Sequence, residues 1–295
     1  MLSDRLLLYD TGRDIYQTDM KYTTFITAKE ANENLGNPDF LFIECSYALA
    51  DAAWGRSEYE KSHIPNAAYA DLHDDLAGAI VPGKTGRHPI PSKEELIKTF
   101  SRFGIDQSTQ VVAYDMQSGA MAAARLWWLL QYSGHKNVAV LSGGKSHWEK
   151  SGFPLSQQKT ERRETIFYAD FNNEFLVQSD DVLAEIERSN SCIIDSRTND
   201  RYQGQNETID PIAGHIPTAV SKPFNSLLNP DGMIDDDAKI EAYFKEVPAD
   251  AVFYCGSGVT AAFNILLFVH SGKAFPKLYA GSWSEWITDQ SRPLA

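Results

Sequence analysis

The chain repeats itself once, and that repeat limits its possible folds more than any other property of its 295 residues. His63-Ile64-Pro65-Asn66-Ala67 returns as His215-Ile216-Pro217-Thr218-Ala219. Phe42-Ile43-Glu44 has its counterpart in Ile193-Ile194-Asp195, and Val111-Val112-Ala113-Tyr114-Asp115 in Ala251-Val252-Phe253-Tyr254-Cys255. Leu141-Ser142-Gly143 with Trp148 returns as Tyr279-Ala280-Gly281 with Trp286. Four matches in one order, with separations that drift only by loop lengths, require a duplicated domain. A solenoid would repeat every ~20–50 residues instead, and the length alone already favours two domains.

Each copy alternates short apolar runs with helix-like ones. The first reads as strand 40–44, helix near 56–62, strand 67–70, helix 92–103, strand 110–115, helix 120–133 and strand 137–141. The second reads as strand 192–195, strand 218–220, helix 236–245, strand 251–254, helix 260–271 and strand 276–279. Such alternation predicts an α/β fold with a mostly parallel sheet covered on both faces. The run Ala122-Ala123-Ala124-Arg125-Leu126-Trp127-Trp128-Leu129-Leu130 is too apolar for an exposed helix face. We place the domains at 22–155 and 171–290, joined by a polar, solvated linker near 155–170. Met20 to Phe25 opens a strand, whereas residues 1–19 have little amphipathic period; we expect them to be unstructured or to precede a natural start at Met20.

Composition excludes several functions. A net charge of −13 without a basic run argues against nucleic acid or an anionic membrane as partner. No apolar stretch reaches the roughly 18 residues that span a bilayer, and Leu6-Leu7-Leu8, flanked by Asp4 and Asp10, is too short for a secretory signal. Three cysteines without close spacing exclude a disulfide scaffold and a CxxC metal site, so a reducing, cytoplasmic setting is expected, with no metal and no organic cofactor.

One cysteine differs from the others. Cys45 and Cys192 each abut an apolar run and read as small buried hydrophobes. Cys255 opens Cys255-Gly256-Ser257-Gly258-Val259-Thr260, between an apolar strand and a helical run. The glycines let backbone N–H groups converge on one centre, and the next helix adds the positive end of its dipole. Such a turn favours a thiolate, the nucleophilic form, and in parallel sheets ligands bind at this end of the strands.

The paired His-Ile-Pro-x-Ala segments, Ile194-Asp195-Ser196-Arg197, the Cys255 loop and Gly281-Ser282-Trp283-Ser284-Glu285-Trp286 together resemble the tandem-domain rhodanese-like sulfurtransferases over about residues 22–290. That resemblance implies two tandem rhodanese-like domains, each with a five-stranded sheet flanked by helices. It also implies a catalytic C-terminal copy and an N-terminal copy without a nucleophile, as Asp115 standing where Cys255 recurs agrees. The implied reaction moves a sulfane sulfur from a small-molecule donor through a Cys255 persulfide to a thiol acceptor, such as thioredoxin or a small thiol, or to cyanide.

Members with a Cys-Gly-Ser-Gly-Val-Thr loop look like those acting on 3-mercaptopyruvate, with release of pyruvate; thiosulfate is the alternative donor. Gly256, Gly258, Val259 and Thr260 would line the anion cradle. Arg201 matches the family's carboxylate-binding arginine, its competing role being a salt bridge to Asp200 or Glu207. The family's second arginine, some nine residues later, is absent here, which leaves Arg87 from the first copy to share the task. Ser257 and His88 match two members of a proton relay. Its carboxylate is in doubt, because His73 stands nearest the family's aspartate, leaving Asp71 or Asp74 to substitute. Arg197, His63 and His215 read as structural. A cysteine phosphatase needs an arginine six residues after its cysteine, where this chain has Ala261. A non-catalytic binding module would have no use for Cys255 and its intact glycines.

Overall fold

A computed structural model of the chain describes residues 22–160, 162–188, 191–234 and 236–295. The expectation for residues 1–19 lies outside them. Ten strands occur among the described residues: β1 (Phe25–Ile26), β2 (Phe40–Glu44), β3 (Ala68–Tyr69), β4 (Gln110–Tyr114), β5 (Val138–Leu141), β6 (Leu176–Val177), β7 (Ile193–Asp195), β8 (Val220–Ser221), β9 (Val252–Tyr254) and β10 (Lys277–Tyr279). They form two parallel five-stranded sheets, ordered β1-β5-β4-β2-β3 and β6-β10-β9-β7-β8. The orders are the same, so the duplication read from sequence extends to topology.

The repeated motifs fold alike in detail. His63 stacks on Tyr59 at 4.0 Å and bonds its carbonyl oxygen through Nδ1; His215 does the same with Tyr202 at 3.9 Å. The amides of Ile64 and Ile216 donate to the hydroxyls of Tyr114 and Tyr254. After each Ile-Pro the chain turns through a left-handed residue, Asn66 (φ 64°) or Thr218 (φ 67°). Thr218 is therefore part of this turn, and β8 begins later than the expected strand 218–220. These residues build the turn, as expected.

The helices Ala122–Tyr132 and Thr260–His270 follow β4 and β9 and pack against each other. Both are apolar on nearly every side because each is covered by its own sheet and by the other helix. One hydrophobic cluster runs through this contact, from Leu41, Val111 and Leu126 in the first copy to Phe263, Leu266 and Phe253 in the second. Trp127 stacks on Phe275 at 5.5 Å, and Phe25 meets Phe263 edge-on at 6.3 Å. Separate clusters cover the outer faces of the two sheets.

The linker is less solvated than its composition implies. Ser156 pairs with His63 in both directions at 2.8 Å, and Arg162 donates to the carbonyl oxygens of Pro38 and Phe40. Phe167 is buried among the helices of the first copy. Its polar side chains face outward while its backbone and one aromatic ring attach to the first copy. Among the described residues no helix is long and apolar enough to cross a membrane.

Candidate active site

The loop after β9 carries Cys255 at the carboxyl edge of the second sheet, facing the first copy. Gly258 has φ +73°, and a Cβ there would lie 2.6 Å from the Ala280 carbonyl oxygen, so no other residue fits without movement. The segment after β10 braces the loop: the Cys255 amide donates to the Ser282 hydroxyl at 3.1 Å, while the amides of Trp283 and Ser284 donate to the carbonyls of Cys255 and Gly256 at 3.0 Å each. Cys255 is 2% exposed at the base of a cavity of about 90 Å³, whose apolar rim includes Leu49, Met121 and Ile209.

The two copies meet over this cavity. His88 Nδ1 lies 2.8 Å from Ser257 Oγ across 169 positions of sequence. His88 is 4% exposed, and burial, followed by the electrostatic influence of Arg125, His73 and Arg87, pulls its pKa down to about 3. The ring is therefore neutral at physiological pH. The pair named from sequence is thus brought together, but its carboxylate is not. Asp71 Oδ1 accepts the amides of His73 and Asp74, and Asp71 Oδ2 accepts the Tyr69 hydroxyl. Asp74 is exposed, and His88 Nε2 has no hydrogen-bond partner among the described residues. Asp71 and Asp74 therefore do not complete a relay: the acidic turn closes on its own backbone. The rings beside His88 are His73 at 5.1 Å and Tyr47 at 6.1 Å, themselves linked by a 3.3 Å contact between Tyr47 Oη and His73 Nε2.

Arg87 and Arg201 converge from opposite copies. A Cβ on Gly256 would stand 2.9 Å from Arg87 Nη2 and 3.4 Å from Arg201 Nη1, so both guanidinium groups border the position after the cysteine. Arg201 donates to both Glu207 oxygens, at 3.0 and 3.2 Å, and to Asp210 Oδ2 at 2.9 Å. Arg87 bonds the other Asp210 oxygen. The salt bridge to Glu207 weighed from sequence is present, whereas Asp200 accepts the Arg201 amide instead. Asp210 went unremarked in the sequence; burial pushes its carboxyl up despite the opposing pull of Arg87 and Arg201.

Arg125 was also missed. It is wholly buried and donates to four carbonyls: Leu76 at 3.3 Å, Gly258 at 3.1 Å, His88 at 3.0 Å and Pro89 at 3.2 Å. The signal lay in view, as the one charge inside an apolar helix. Among the described residues no group of three or more His, Cys, Asp or Glu could hold a metal ion.

In the first copy the matching loop holds Asp115 where Cys255 sits. Its carboxylate accepts the amides of Gln117, Gly119 and Met121 at 3.1, 2.8 and 3.2 Å. The amides of Lys145 and Ser146 donate to the carbonyls of Asp115 and Met116, as Trp283 and Ser284 do in the second copy.

Known proteins show the same organisation. The Rhodanese-like domain profile matches residues 27–151 and again 178–289. The chain is 38% identical over 282 residues to a probable 3-mercaptopyruvate sulfurtransferase of Pseudomonas aeruginosa, covering 94% of this chain and 99% of that one. It is 33% identical over 262 residues to 3-mercaptopyruvate sulfurtransferase of Homo sapiens, covering 83% and 86%. Among solved structures, 3-mercaptopyruvate sulfurtransferase from Leishmania major superposes with a TM-score of 0.80 at 30% identity, over 90% of this chain and 74% of that one.

Proposed function

The chain belongs to the rhodanese-like family and is a sulfurtransferase, and from that premise we propose that 3-mercaptopyruvate is its donor and Cys255 its sulfur carrier. On this reading residues 171–290 form the catalytic copy and 22–155 the non-catalytic wall of the cleft. The observation that carries the donor assignment is the 2.8 Å contact between Ser257 and His88. Loss of sulfur from mercaptopyruvate leaves the enolate of pyruvate, whose carbon must gain a proton. Loss of sulfur from thiosulfate leaves sulfite, which needs none. A buried proton-handling pair beside the cysteine suits the first donor.

The Cys255 thiolate attacks the donor's sulfur; the S–S bond forms as the C–S bond breaks, and that electron pair passes to the carbon. The proton leaving the outer sulfur crosses to this carbon through the Ser257 hydroxyl, which neutral His88 holds in place. Pyruvate departs, and an acceptor thiolate or cyanide then attacks the outer sulfur and restores the Cys255 thiolate. The first-copy counterpart of this turn directs three amides at the Asp115 carboxylate, and the same turn around Cys255 would stabilise the sulfur anion. Arg201 and Arg87 bind the donor carboxylate by sharing bonds they now make to Asp210 and Glu207; two cations paired with two carboxylates leave little net positive charge, which suits a monocarboxylate better than a dianion. A thiol acceptor in the cytoplasm, thioredoxin or a small thiol, completes the assignment.

The test is kcat/KM for mercaptopyruvate and for thiosulfate, in the unchanged protein and in Ser257→Ala. The substitution is expected to lower mercaptopyruvate turnover about a hundredfold and to change thiosulfate turnover only a few-fold. Equal losses with both donors, or thiosulfate as the better donor of the unchanged protein, would give the assignment to thiosulfate.

A further inference from the structure

We infer that Arg125, from the copy without a nucleophile, is the fixed counter-charge of the Cys255 sulfur and a positioning residue for sulfur transfer. This rests on the reading of Cys255 as the sulfur carrier.

A guanidinium removed wholly from water costs far more than burial returns unless an anion or a full set of acceptors compensates it. Arg125 has the acceptors but, among the described residues, no carboxylate: its four partners are neutral backbone carbonyls. Carbonyl dipoles solvate the charge without cancelling it. Burial brings its pKa down to about 10, so it stays protonated at neutral pH, and the influence that opposes burial comes from the position of Cys255. The other cations near the loop differ. Arg87 and Arg201 are paired with Asp210 and Glu207, and His88 is neutral.

Arg125 is held where this charge is useful. Its carbonyl partners include Gly258, three residues beyond the nucleophile, and His88, whose ring meets Ser257. One rigid fork thus ties together the walls contributed by both copies. The catalytic copy does not provide such a group itself, since the helix after Cys255 carries no ionisable residue between Ala261 and Val269. The cation comes instead from the opposite helix, which the shared core holds against it. A charge fixed in a low-dielectric interior stabilises an anion more than a mobile surface charge does.

Two substitutions separate charge from hydrogen bonding. Arg125→Lys keeps the cation and gives up the fork; Arg125→Gln keeps amide donors and gives up the cation. The readout is the rate of Cys255 alkylation by neutral iodoacetamide at pH 7 in the full chain without donor, followed by mass spectrometry with Cys192 as internal reference. Because the thiolate is the form that reacts, Arg125→Gln is expected to slow Cys255 at least about tenfold while Cys192 is unchanged, and Arg125→Lys to remain within about threefold of the unchanged protein. An unchanged rate in Arg125→Gln, or an equal fall in both variants, overturns the inference. Should Arg125→Gln not fold, a tenfold fall in folded Arg125→Lys overturns it alone. The assay contains no donor, so it reads Arg125 even if mercaptopyruvate is not the substrate. Sulfur transfer that persists in Cys255→Ser would instead remove the functional reading on which the inference stands.

Discussion

The loop after β4 and the loop after β9 share a backbone plan and differ in what they hold. In the first, three amides converge on the Asp115 carboxylate, an anion fixed covalently in place. In the second, the matching position carries Cys255, and the following segment braces it through the same pair of amide-to-carbonyl bonds. One copy therefore fills its loop with a fixed carboxylate, and the other, on the function proposed above, presents a sulfur there. The duplicated loops thus carry different side chains at the matched position, Asp115 in one and Cys255 in the other.

The most severe way to break this comparison is Cys255→Ser. A hydroxyl is nearly isosteric but does not ionise near neutrality, so sulfur transfer should fall below a few per cent while thermal unfolding stays close to that of the unchanged protein. Activity above that level would place the nucleophile at Cys45 or Cys192 and end the distinction between the loops. Next in size is Arg201→Ala, expected to raise KM for mercaptopyruvate roughly ten- to a hundredfold through loss of a charge-assisted contact. A lower melting temperature with unchanged KM would make Arg201 a partner of Glu207 and Asp210 only.

Asp115→Ala sharpens the contrast from the other side. It strips three amides of their acceptor, that of Gly119 buried and those of Gln117 and Met121 part-buried, and should cost roughly 2–3 kcal/mol of stability in urea, with KM unmoved. Asp115→Asn, which keeps an acceptor and removes a charge that burial disfavours, should cost about 1 kcal/mol or less. A change in KM with either would give the silent loop a part in binding.

The last effect appears only as the pH is changed. His88 is neutral when folded, with a pKa of about 3 against an ordinary 6.5, so below pH 6.5 the unfolded chain takes up a proton that the folded one does not. Its contribution therefore lowers stability as pH falls from about 6.5 towards 3. Between pH 6.5 and 5 this amounts to roughly 2 kcal/mol, and His88→Gln should remove that part of the slope in urea titrations. An unaltered slope would mean that His88 is not held neutral against Ser257.

Much of this architecture was legible in the sequence because repetition and parallel-sheet patterning are strong signals. The central strands β2, β4, β7 and β9 fell close to their expected places, since continuous apolar runs leave little ambiguity. Short elements such as β6 and the helix Asn199–Tyr202 were missed, as two to four residues carry no period. Cys255 stood out through its glycines. The contact between His88 and Ser257 did not follow from local pattern and needed the family resemblance to join positions far apart. Arg125 escaped because helical periodicity cannot say what a helix apolar on all sides is facing. Asp71 and Asp74 failed as relay carboxylates because a turn rich in backbone amides binds an aspartate before a distant histidine can.

The continuous core between the helices Ala122–Tyr132 and Thr260–His270 also bears on why a copy without a nucleophile persists. Either half expressed alone would expose a face made of Trp127, Leu126, Phe263 and Leu266, and would aggregate or remain loosely packed. The pair should melt in one cooperative calorimetric transition, with no plateau for a surviving half. If the copy that carries Cys255 is the catalytic one, selection on it also protects the other: a lineage that deleted the first copy would lose the partner face of this shared core, and drift in the first copy is confined to substitutions that the second can still pack against.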